Sequence, residues 1–562
     1  MSTPPLDPAD RPVDPSDPYQ RIAQTFPRLT EEQLTRLVRF ATVEAVPAGR
    51  VLFERGDRGV DFFVVLEGAI EIYEHGADGP RVVHVHGENQ FTGELDLFNN
   101  RQILVGGRMS HTGRVARVRR AQFRRLMAAE PDIGELILRA FILRRVGLIE
   151  HEQGGALLIG ARRSADTLRI QRFMDRNGYP MHWLDSDADP TAAAETLARH
   201  GVGAADTPVV VLPQVGALRN PTTAALAEAL GLIEPLDADE VFDLAVVGAG
   251  PAGLAAAVYG ASEGLSTIVL EAEAPGGQAG TSSKIENYLG FPTGISGGAL
   301  AGRAQVQAQK FGARLAVPAR AKRLDCGQSP YAIELDDGRR VRTRTVVIAT
   351  GARYRSLDVA DIERFEGTGV HYACTAVESA LCEGEEVVVV GGGNSAGQAA
   401  VYLSRHAARV LILVRGPGLA ASMSKYLISR IDAADHVDLH SDTEIIRLEG
   451  ERYLERVTWR NRRSGAEETR PIAAVFLMLG AVPNTEWLRG CVDLDGDGFV
   501  RCGVGSEGGG AWAQPRSSAF ETNRAGIFAV GDVRAGSIKR VASAVGEGSI
   551  VVPAIHRILA GG

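Results

Sequence analysis

The stretch VFDLAVVGAGPAGLAAAVYGASEGLSTIVLE, residues 241–271, decides the fold of the larger part of this chain. It reads as an apolar strand, a glycine turn, an alanine-rich helix and a second strand that ends on an acid. Gly248 permits the tight turn, Gly250 lets the backbone approach a pyrophosphate, and Gly253 allows the helix to pack closely on the strand. Glu271 is placed to bind ribose hydroxyls. The pattern predicts a Rossmann-like dinucleotide-binding unit.

A second unit of the same kind follows at EVVVVGGGNSAGQAAVYLSRHAARVLILVRG, residues 386–416. Gly391, Gly393 and Ala396 take the three glycine positions, and Ala396 stands at the one that serves close packing. Two dinucleotide sites in one chain predict a flavin and a nicotinamide held face to face, because hydride transfer needs both.

Several short motifs around these units resemble the low-molecular-weight thioredoxin reductases, which are class II pyridine nucleotide-disulfide oxidoreductases. The resemblance covers about residues 240–562, and its motifs are APGGQ (274–278), KIENYLGFP (284–292), VVIATGA (346–352), IFAVGDV (527–533) and KRVASAVGEG (539–548). It implies bound FAD. The residues it assigns to FAD are Gly248, Gly250, Pro251, Ala252, Gly253, Glu271, Gly277, Gln278, Asn287, Ala349, Thr350, Gly351, Gly531, Asp532, Arg540, Val541 and Ala542.

By the same resemblance, a nicotinamide domain is inserted into the flavin domain and rotates between two orientations. We call residues 237–355 and 479–562 the first dinucleotide domain, and residues 356–478 the second dinucleotide domain. The residues expected to bind NAD(P)H are Gly391, Gly393, Asn394, Ser395, Ala396 and Arg415.

The choice between NADPH and NADH depends on the end of the second strand of this unit. The family's His-Arg-Arg-x-x-x-Arg patch for the 2′-phosphate reads here as VRGPGLA (414–420), so only Arg415 remains. No acid ends this strand, where a site for NADH would place one. Because one arginine fork can pair with a phosphate, we expect NADPH, with NADH as the alternative.

The stretch GVHYACTAVESALC, residues 369–382, lies where the family carries a redox-active Cys-x-x-Cys. Aligned on the flanking motifs, Ala373 and Ala376 stand at the two cysteine positions. Cys374 is shifted by one position, and a helix from there to Cys382 would rise about 12 Å, too far for a disulfide. Both cysteines are expected to be free thiols, and Cys374 is the one candidate for a catalytic thiol.

Residues 19–152 alternate short strands with glycine turns, as in VPAGRVLFERGDRGVDFFVVLEGAIEIYEH (46–75), and predict a β-roll with flanking helices. This first module resembles the cyclic-nucleotide-binding domains. Its cassette reads FTGELDLFNNRQILVGGR (91–108). Glu94 would accept from the ribose, Arg101 would pair with the cyclic phosphate, and amides near Gly93 would assist. An inserted Thr92 departs from the family, so a role in packing or dimer contacts is the alternative.

Residues 153–236, the second module, order strands and helices as the thioredoxin and glutaredoxin fold does, and resemble it. Thr207-Pro208 falls where that fold has its cis-proline. The positions of its Cys-x-x-Cys read Ser164 to Thr167 here, and these hydroxyls can cap a helix but cannot exchange electrons as a dithiol. We expect a redox-silent module with a docking or spacing role, or a vestigial linker.

The bulk composition limits what the chain can do. A length of 562 residues predicts three or four domains. The net charge of -8 argues against non-specific binding of nucleic acid. Five cysteines form no disulfide framework and no metal spacing, which suits a reducing cytoplasm. Residues 1–18 are expected to be a disordered lead-in, and no apolar run reaches the ~20 residues of a membrane helix.

These features predict a multidomain α/β protein: a β-roll, a thioredoxin-like domain and two Rossmann-like domains. The predicted function is FAD-dependent oxidation of NAD(P)H, with electrons passed to an acceptor that is not a dithiol. The family resemblance implies a homodimer, and the first module suggests control by a cyclic nucleotide. The alternatives are a thioredoxin-disulfide reductase that uses Cys374 in an altered way, and a non-catalytic redox or nucleotide sensor. Acceptor turnover and thiol titration distinguish them.

Overall fold

The structure is a computed structural model, and it describes most of the chain. The described residues are 18, 21–76, 79–99, 101–151, 153–213, 215–282, 285, 287–366, 368–372, 374, 376–380, 382–420, 422–451, 453–479, 481–503 and 518–561. The predicted lead-in lies outside them, except for Pro18. In this part of the chain, no helix combines the length and the apolar character needed to cross a bilayer.

The chain divides into two compact units. The first contains residues 1–158, 178–184 and 209–234, and the second contains residues 159–177, 185–208 and 235–562. The second unit therefore includes both dinucleotide domains together with part of the second module.

The first module begins with two short helices, continues with five strands and ends with two helices. The elements are α1 (Ile22–Thr25), α2 (Glu31–Val38), β1 (Thr42–Val46), β2 (Val51–Phe53), β3 (Phe62–Gly76), β4 (Gly79–His86), β5 (Gly106–Val118), α3 (Arg120–Ala129) and α4 (Pro131–Glu150). The strands form one antiparallel sheet in the order β1-β5-β3-β4, with β2 on β5. A buried cluster of Phe62, Phe91, Phe98, Phe123 and Phe141 lies between sheet and helices.

The second module contains a four-stranded sheet in the order β7-β6-β8-β9. Its elements are β6 (Ala156–Gly160), α5 (Ala165–Arg176), β7 (Met181–Asp185), α6 (Pro190–Arg199), β8 (Val209–Leu212), β9 (Gly216–Arg219) and α7 (Thr223–Ala229). The Thr207-Pro208 bond is cis, which confirms that prediction. The Ser164 hydroxyl caps α5 by accepting from the Thr167 amide, as expected for the positions that lack thiols.

The first dinucleotide domain is built on a seven-stranded sheet in the order β12-β11-β10-β15-β14-β13, with β26 on β15. Its elements are β10 (Val241–Val247), α8 (Pro251–Ser262), β11 (Thr267–Leu270), α9 (Gly297–Lys310), β12 (Arg314–Ala316), β13 (Ala321–Asp325), β14 (Tyr331–Leu335), β15 (Arg340–Ile348), β16 (Ala352–Tyr354), and, after the insertion, β26 (Ile527–Ala529), α14 (Val541–Ile550) and α15 (Val552–Ala560). The central strands β10, β11, β12, β15 and β26 pair in parallel, as in a doubly wound fold.

The second dinucleotide domain repeats this plan on a smaller scale. Its elements are α10 (Ile362–Phe365), β17 (Val370–His371), α11 (Ala376–Ala380), β18 (Glu386–Val390), α12 (Asn394–Leu403), β19 (Arg409–Leu413), α13 (Lys425–Asp432), β20 (Val437–His440), β21 (Thr443–Glu449), β22 (Arg456–Asn461), β23 (Glu467–Pro471) and β24 (Ala474–Leu477). Strand β25 (Ala481–Pro483) follows where the chain re-enters the first dinucleotide domain. A parallel sheet has the order β17-β24-β18-β19-β20, and β21-β22-β23 form an antiparallel sheet beside it.

Two paired strands mark the crossing between the dinucleotide domains. Strand β16 leads out of the first domain, β25 leads back, and the two pair antiparallel from Ala352–Pro483 to Tyr354–Ala481. At their base, Thr350 Oγ1 donates to the Asn484 carbonyl oxygen at 2.8 Å, and Asn484 Nδ2 donates to the Thr350 carbonyl oxygen at 2.9 Å. This two-stranded ribbon, which we call the hinge, is the covalent connection between the domains.

One expectation about cysteines is wrong. Cys326 and Cys491 form a disulfide, with Cα atoms 6.0 Å apart, whereas the sequence predicted none. The two residues are 165 positions apart, so their spacing carried no signal, and only the packing of the first dinucleotide domain brings them together in its core. Cys374, Cys382 and Cys502 are free, which confirms the prediction for the first two.

Candidate functional site

Three glycines hold the turn between β10 and α8. Gly248 has φ of +106°, and a Cβ there would lie 2.3 Å from the carbonyl oxygen of Ala349. A Cβ at Gly253 would lie 1.8 Å from the carbonyl oxygen of Gly248, so only glycine allows the helix to pass this close to the turn. Gly250 caps α8 and Pro251 begins it. The amides at this helix start suit an anionic group such as a pyrophosphate.

Glu271 lies at the end of β11 beside the same turn. Its Oε2 accepts from the Ala249 amide at 2.8 Å, and its Oε1 accepts from the Glu273 amide at 3.0 Å. Burial raises the pKa of the Glu271 carboxyl. The acid predicted to bind the ribose is therefore fixed against the glycine turn.

The motifs IFAVGDV (527–533) and KRVASAVGEG (539–548) pack against Ala252 of α8, next to the glycine turn. A Cβ at Gly531 would lie 2.9 Å from Ala252 Cβ, and a Cβ at Gly548 would lie 2.2 Å from the Ala252 carbonyl oxygen. The Gly531 amide donates to Glu547 Oε2 at 2.6 Å, and Arg534 pairs with Glu547 at 2.5 Å. These close approaches bring α14 against α8, although the two helices are about 290 residues apart in sequence.

The remaining residues predicted for FAD divide into a group at the turn and a group on the surface. Near the turn, a Cβ at Gly277 would lie 3.0 Å from Gly250 Cα, and Gln278 Nε2 donates to the Ala352 carbonyl oxygen at 3.3 Å. Gly351 has a φ of +60°. Burial raises the pKa of the Asp532 carboxyl. Val541 lies at the start of α14, and the exposed residues are Asn287, Arg540 and Ala542.

The residues of the first dinucleotide domain fit FAD. Added Cβ atoms at Gly248 and Gly253 would clash with backbone, whereas one at Gly250 would meet only Gly277 Cα, at 3.9 Å, so the chain leaves open space there for a pyrophosphate. A helix start and a fixed carboxylate stand beside this space. FAD bound here, together with a nicotinamide, would supply hydride-transfer chemistry.

A cavity of about 300 Å³ marks the corresponding place in the second dinucleotide domain. Its lining consists of Val390, Gly391, Gly392, Gly393, Leu413, Val414, Arg415, Met478 and Leu479. Gly391 has φ of +140°, and a Cβ there would lie 2.3 Å from the Met478 carbonyl oxygen. Gly393 caps α12, and the buried Ala396 takes the packing position. The cavity suits a dinucleotide at a glycine turn.

Arg415, the one basic residue that matches the family's motif for the 2′-phosphate, lies at this cavity. Arg415 and Ser395 are exposed, and Arg415 lines the cavity. Asn394 Oδ1 accepts from the Ser424 amide at 2.7 Å, and Ser422 Oγ donates to the Gly392 carbonyl oxygen at 2.8 Å. Sequence patterns carried no signal for Ser422, Ser424 or Met478, because these residues reach the turn only through tertiary packing.

The segment that stands at the family's dithiol position has two buried thiols. Cys374 is 7% exposed and Cys382 is fully buried. Burial, with Glu378 nearby, raises the pKa of Cys374 well above its ordinary value and raises that of Cys382 to about 12. Cys382 Sγ contacts the Glu378 carbonyl oxygen at 3.2 Å. Neither group is a ready nucleophile at neutral pH, since the reactive form is the thiolate. Ala373 lies outside the described residues.

In the first module, a cavity of about 70 Å³ lies beside the predicted cassette. Gly93 and Glu94 line it, together with mainly apolar side chains, whereas Arg101 is not in its lining. The Glu94 carboxylate is already engaged, because Arg145 of α4 forms an ion pair with it and with Asp96 at 2.6 Å. Nothing in the sequence pattern indicated Arg145, which belongs to a different element.

Comparison with known proteins agrees with this geometry. The family model for pyridine nucleotide-disulphide oxidoreductases matches residues 242–548, and that for the cyclic nucleotide-binding domain matches residues 43–130. Thioredoxin reductase of Bacillus subtilis is 32% identical over 57% of this chain and 95% of its own length. An NADH dehydrogenase of B. subtilis is 32% identical over 55% of this chain, which spans 57% of that protein.

A solved structure of Lactococcus lactis thioredoxin reductase, described as the FR conformation, is 26% identical. It covers 57% of this chain and 99% of its own, with a TM-score of 0.52. The family model spans more than half of the chain. The chain therefore belongs to the pyridine nucleotide-disulphide oxidoreductase family, as an oxidoreductase similar to thioredoxin reductase with a cyclic nucleotide-binding domain on its N-terminal side.

Proposed function

We propose that this protein oxidises NAD(P)H with bound FAD and passes the electrons to an acceptor that is not a dithiol. The observation that carries the proposal is a contrast within the second unit. The two glycine cradles are complete, whereas the segment at the dithiol position offers two buried thiols, Cys374 and Cys382, that are not joined in a disulfide and whose pKa values are raised. Buried thiols with raised pKa values are poor nucleophiles for disulfide exchange at neutral pH. Quinones, iron–sulfur or flavin proteins and oxygen are the acceptor classes that remain.

We assign FAD to the cradle around Gly248, Gly250 and Gly253, with Glu271 at the ribose and Asp532 at the ribityl chain. The other predicted FAD residues complete this set. The fixed Glu271 carboxylate and the close contact of Gly531 with Ala252 support the assignment.

We assign NADPH to the cavity at Gly391, with Arg415 at the 2′-phosphate and NADH as the weaker substrate. The support is the position of Arg415 in the lining of that cavity. An arginine can form a forked pair with a phosphate, which NADH lacks.

The test is steady-state NADPH oxidation by the FAD-loaded protein with four acceptors: menadione, ferricyanide, oxygen and oxidised thioredoxin. We expect turnover with at least one of the first three and none with thioredoxin. Cys374→Ser is the matched variant, and it should leave turnover unchanged. Loss of NADPH-dependent activity in Cys374→Ser, or efficient reduction of thioredoxin, would favour the altered thioredoxin-disulfide reductase instead. A protein that turns over none of the four would be a sensor.

For the first module, we propose a cyclic nucleotide at Gly93, Glu94 and Arg101, which would regulate the oxidoreductase. The family match supports a nucleotide, but the ligand would have to displace Arg145 from Glu94. Titration with cAMP and cGMP, followed by the melting temperature, tests this. Arg145→Ala should bind more tightly than wild type if the ion pair competes with the ligand.

We further propose that the second module has a thioredoxin-like fold without thiols, supported by its four-stranded sheet in the order β7-β6-β8-β9 and by the Ser164 cap of α5. We infer a homodimer from the family resemblance. We propose a cytosolic setting from the small number of cysteines, five in 562 residues, and the Cys326–Cys491 disulfide is an exception to the pattern of that compartment. Light scattering of the purified protein tests the dimer.

A further inference from the structure

Helix α5 of the second module contacts the segment that stands at the dithiol position. Arg172 Nε donates to Glu378 Oε1 at 2.7 Å, and Glu378 is only 2% exposed. The same arginine lies 3.4 Å from His371 Nδ1 through its Nη2. Just before the helix, Arg162 donates to the Ala380 carbonyl oxygen. These residues of the second dinucleotide domain surround Cys374 in sequence.

The C-terminal end of the same helix contacts the first dinucleotide domain. Arg176 Nη2 donates to the carbonyl oxygens of Gly277 and Ala274 at 3.3 and 3.4 Å, within the loop that backs onto the glycine turn. Asn177 Nδ2 donates to the Glu273 carbonyl oxygen at 3.1 Å. The helix is therefore bonded to both dinucleotide domains within one compact unit.

The spacing explains how a single helix can do this. Arg172 and Arg176 are four residues apart, so their side chains lie on the same face, one turn from each other. One arginine pairs with a buried carboxylate of the second domain, and the other binds backbone of the first. The paired strands β16 and β25 link these domains covalently. The helix adds a second, non-covalent connection.

We propose that α5 is a strut that holds the two dinucleotide domains in the observed orientation and covers the segment around Glu378. This inference rests on the proposed function. The second module, which lacks thiols, would act as a structural support, and the two dinucleotide domains would keep one orientation during turnover. A thioredoxin in solution that approached residues 371–380 would meet a helix already seated there.

The test is hydrogen exchange by mass spectrometry on the full-length, FAD-loaded protein. In Arg172→Ala/Arg176→Ala, exchange should rise at least tenfold at the amides of both strands of the hinge, residues 352–354 and 481–482. The control is Arg199→Ala, an exposed arginine on α6 whose bond to Thr196 stays within its own helix. It should leave the hinge unchanged.

Unchanged exchange at the hinge in a folded double variant would overturn the proposal, even if exchange rose locally at residues 376–380. Should the double variant fail to fold, Glu378→Gln removes the charge of the buried partner with less disturbance, and the same criterion applies. The measurement needs no turnover and no acceptor. A negative result here is therefore distinct from failure of the proposed oxidoreductase function.

Discussion

Chemical labelling of the cysteines tests the claim that the dithiol function is absent. Three thiols are free: Cys374 and Cys382 are buried, whereas Cys502 is half-buried. Cys326 and Cys491 are held in a disulfide and should not react until reduced. A redox-active thiol would have to be both accessible and easily ionised, so the structure predicts that Cys502 reacts first and the other two lag far behind.

The size of the lag follows from ionisation and burial together. With a pKa of about 12, Cys382 is ionised at pH 8 about 2,000-fold less than an ordinary thiol with a pKa of about 8.5. A thiolate of higher pKa is a better nucleophile, with a Brønsted slope of about 0.4–0.5, which offsets part of this difference. The net slowing from ionisation is about 40- to 100-fold, and burial slows the reaction further.

The assay is labelling with iodoacetamide at pH 8 under native conditions, with each cysteine quantified by mass spectrometry over time. A denatured sample supplies the reference rate for each site. We expect Cys382 to react at least 40-fold more slowly than in the denatured chain, and we expect Cys374, whose pKa is also raised, to react more slowly than in the denatured chain. Labelling of Cys374 at the rate of a free thiol would refute the reasoning, since it would place an accessible, ionisable thiol at the dithiol position.

Two substitutions and a pH titration test the cradles and the first module. Gly253→Ala should lose most of its bound FAD, measured by absorbance after gel filtration, because the new Cβ would lie 1.8 Å from the Gly248 carbonyl oxygen; normal FAD content would contradict the cradle. Arg415→Ala should raise KM for NADPH about tenfold and leave KM for NADH unchanged, since an exposed ion pair to phosphate contributes about 1.4 kcal/mol; equal changes for both would remove the assigned role. Burial and Arg144 lower the pKa of His84 to about 4. Between about pH 4 and pH 6.5 the imidazole is therefore neutral in the folded state and protonated in the unfolded state. The free energy of unfolding of the first module should be at its full value above pH 6.5 and should fall by about 2 to 3 kcal/mol by pH 4 in urea unfolding. A free energy of unfolding that does not change over this range would contradict the assigned pKa.

The fold of the dinucleotide domains could be predicted because its signals are local. The turn at Gly248, the helix after Pro251 and the acid at Glu271 lie within one stretch of about 30 residues. Each has a steric or electrostatic reason that applies to any sequence of this kind. The cis bond at Thr207-Pro208 was expected only from the resemblance to the thioredoxin fold, because the Thr-Pro pair alone carries no such signal.

Contacts between distant segments could not be predicted. Arg145 pairs with Glu94 across 51 positions, Arg172 pairs with Glu378 across 206, and Cys326 joins Cys491 across 165. None of these pairs has a characteristic spacing, since packing alone determines their distance. The sequence could therefore suggest Glu94 as a candidate ligand residue but could not reveal that Arg145 already pairs with it.

The most direct test of the central claim is an anaerobic titration of the oxidised protein with NADPH, followed by bleaching of the flavin absorbance. We expect one equivalent per FAD to complete the reduction, because Cys374 and Cys382 are not joined in a disulfide and the Cys326–Cys491 disulfide packs with the core of the first dinucleotide domain rather than at the dithiol position. Consumption of two equivalents would contradict the claim by revealing a second two-electron centre. Repeating the titration with Cys374→Ser and with Cys326→Ser would then show which thiols form it.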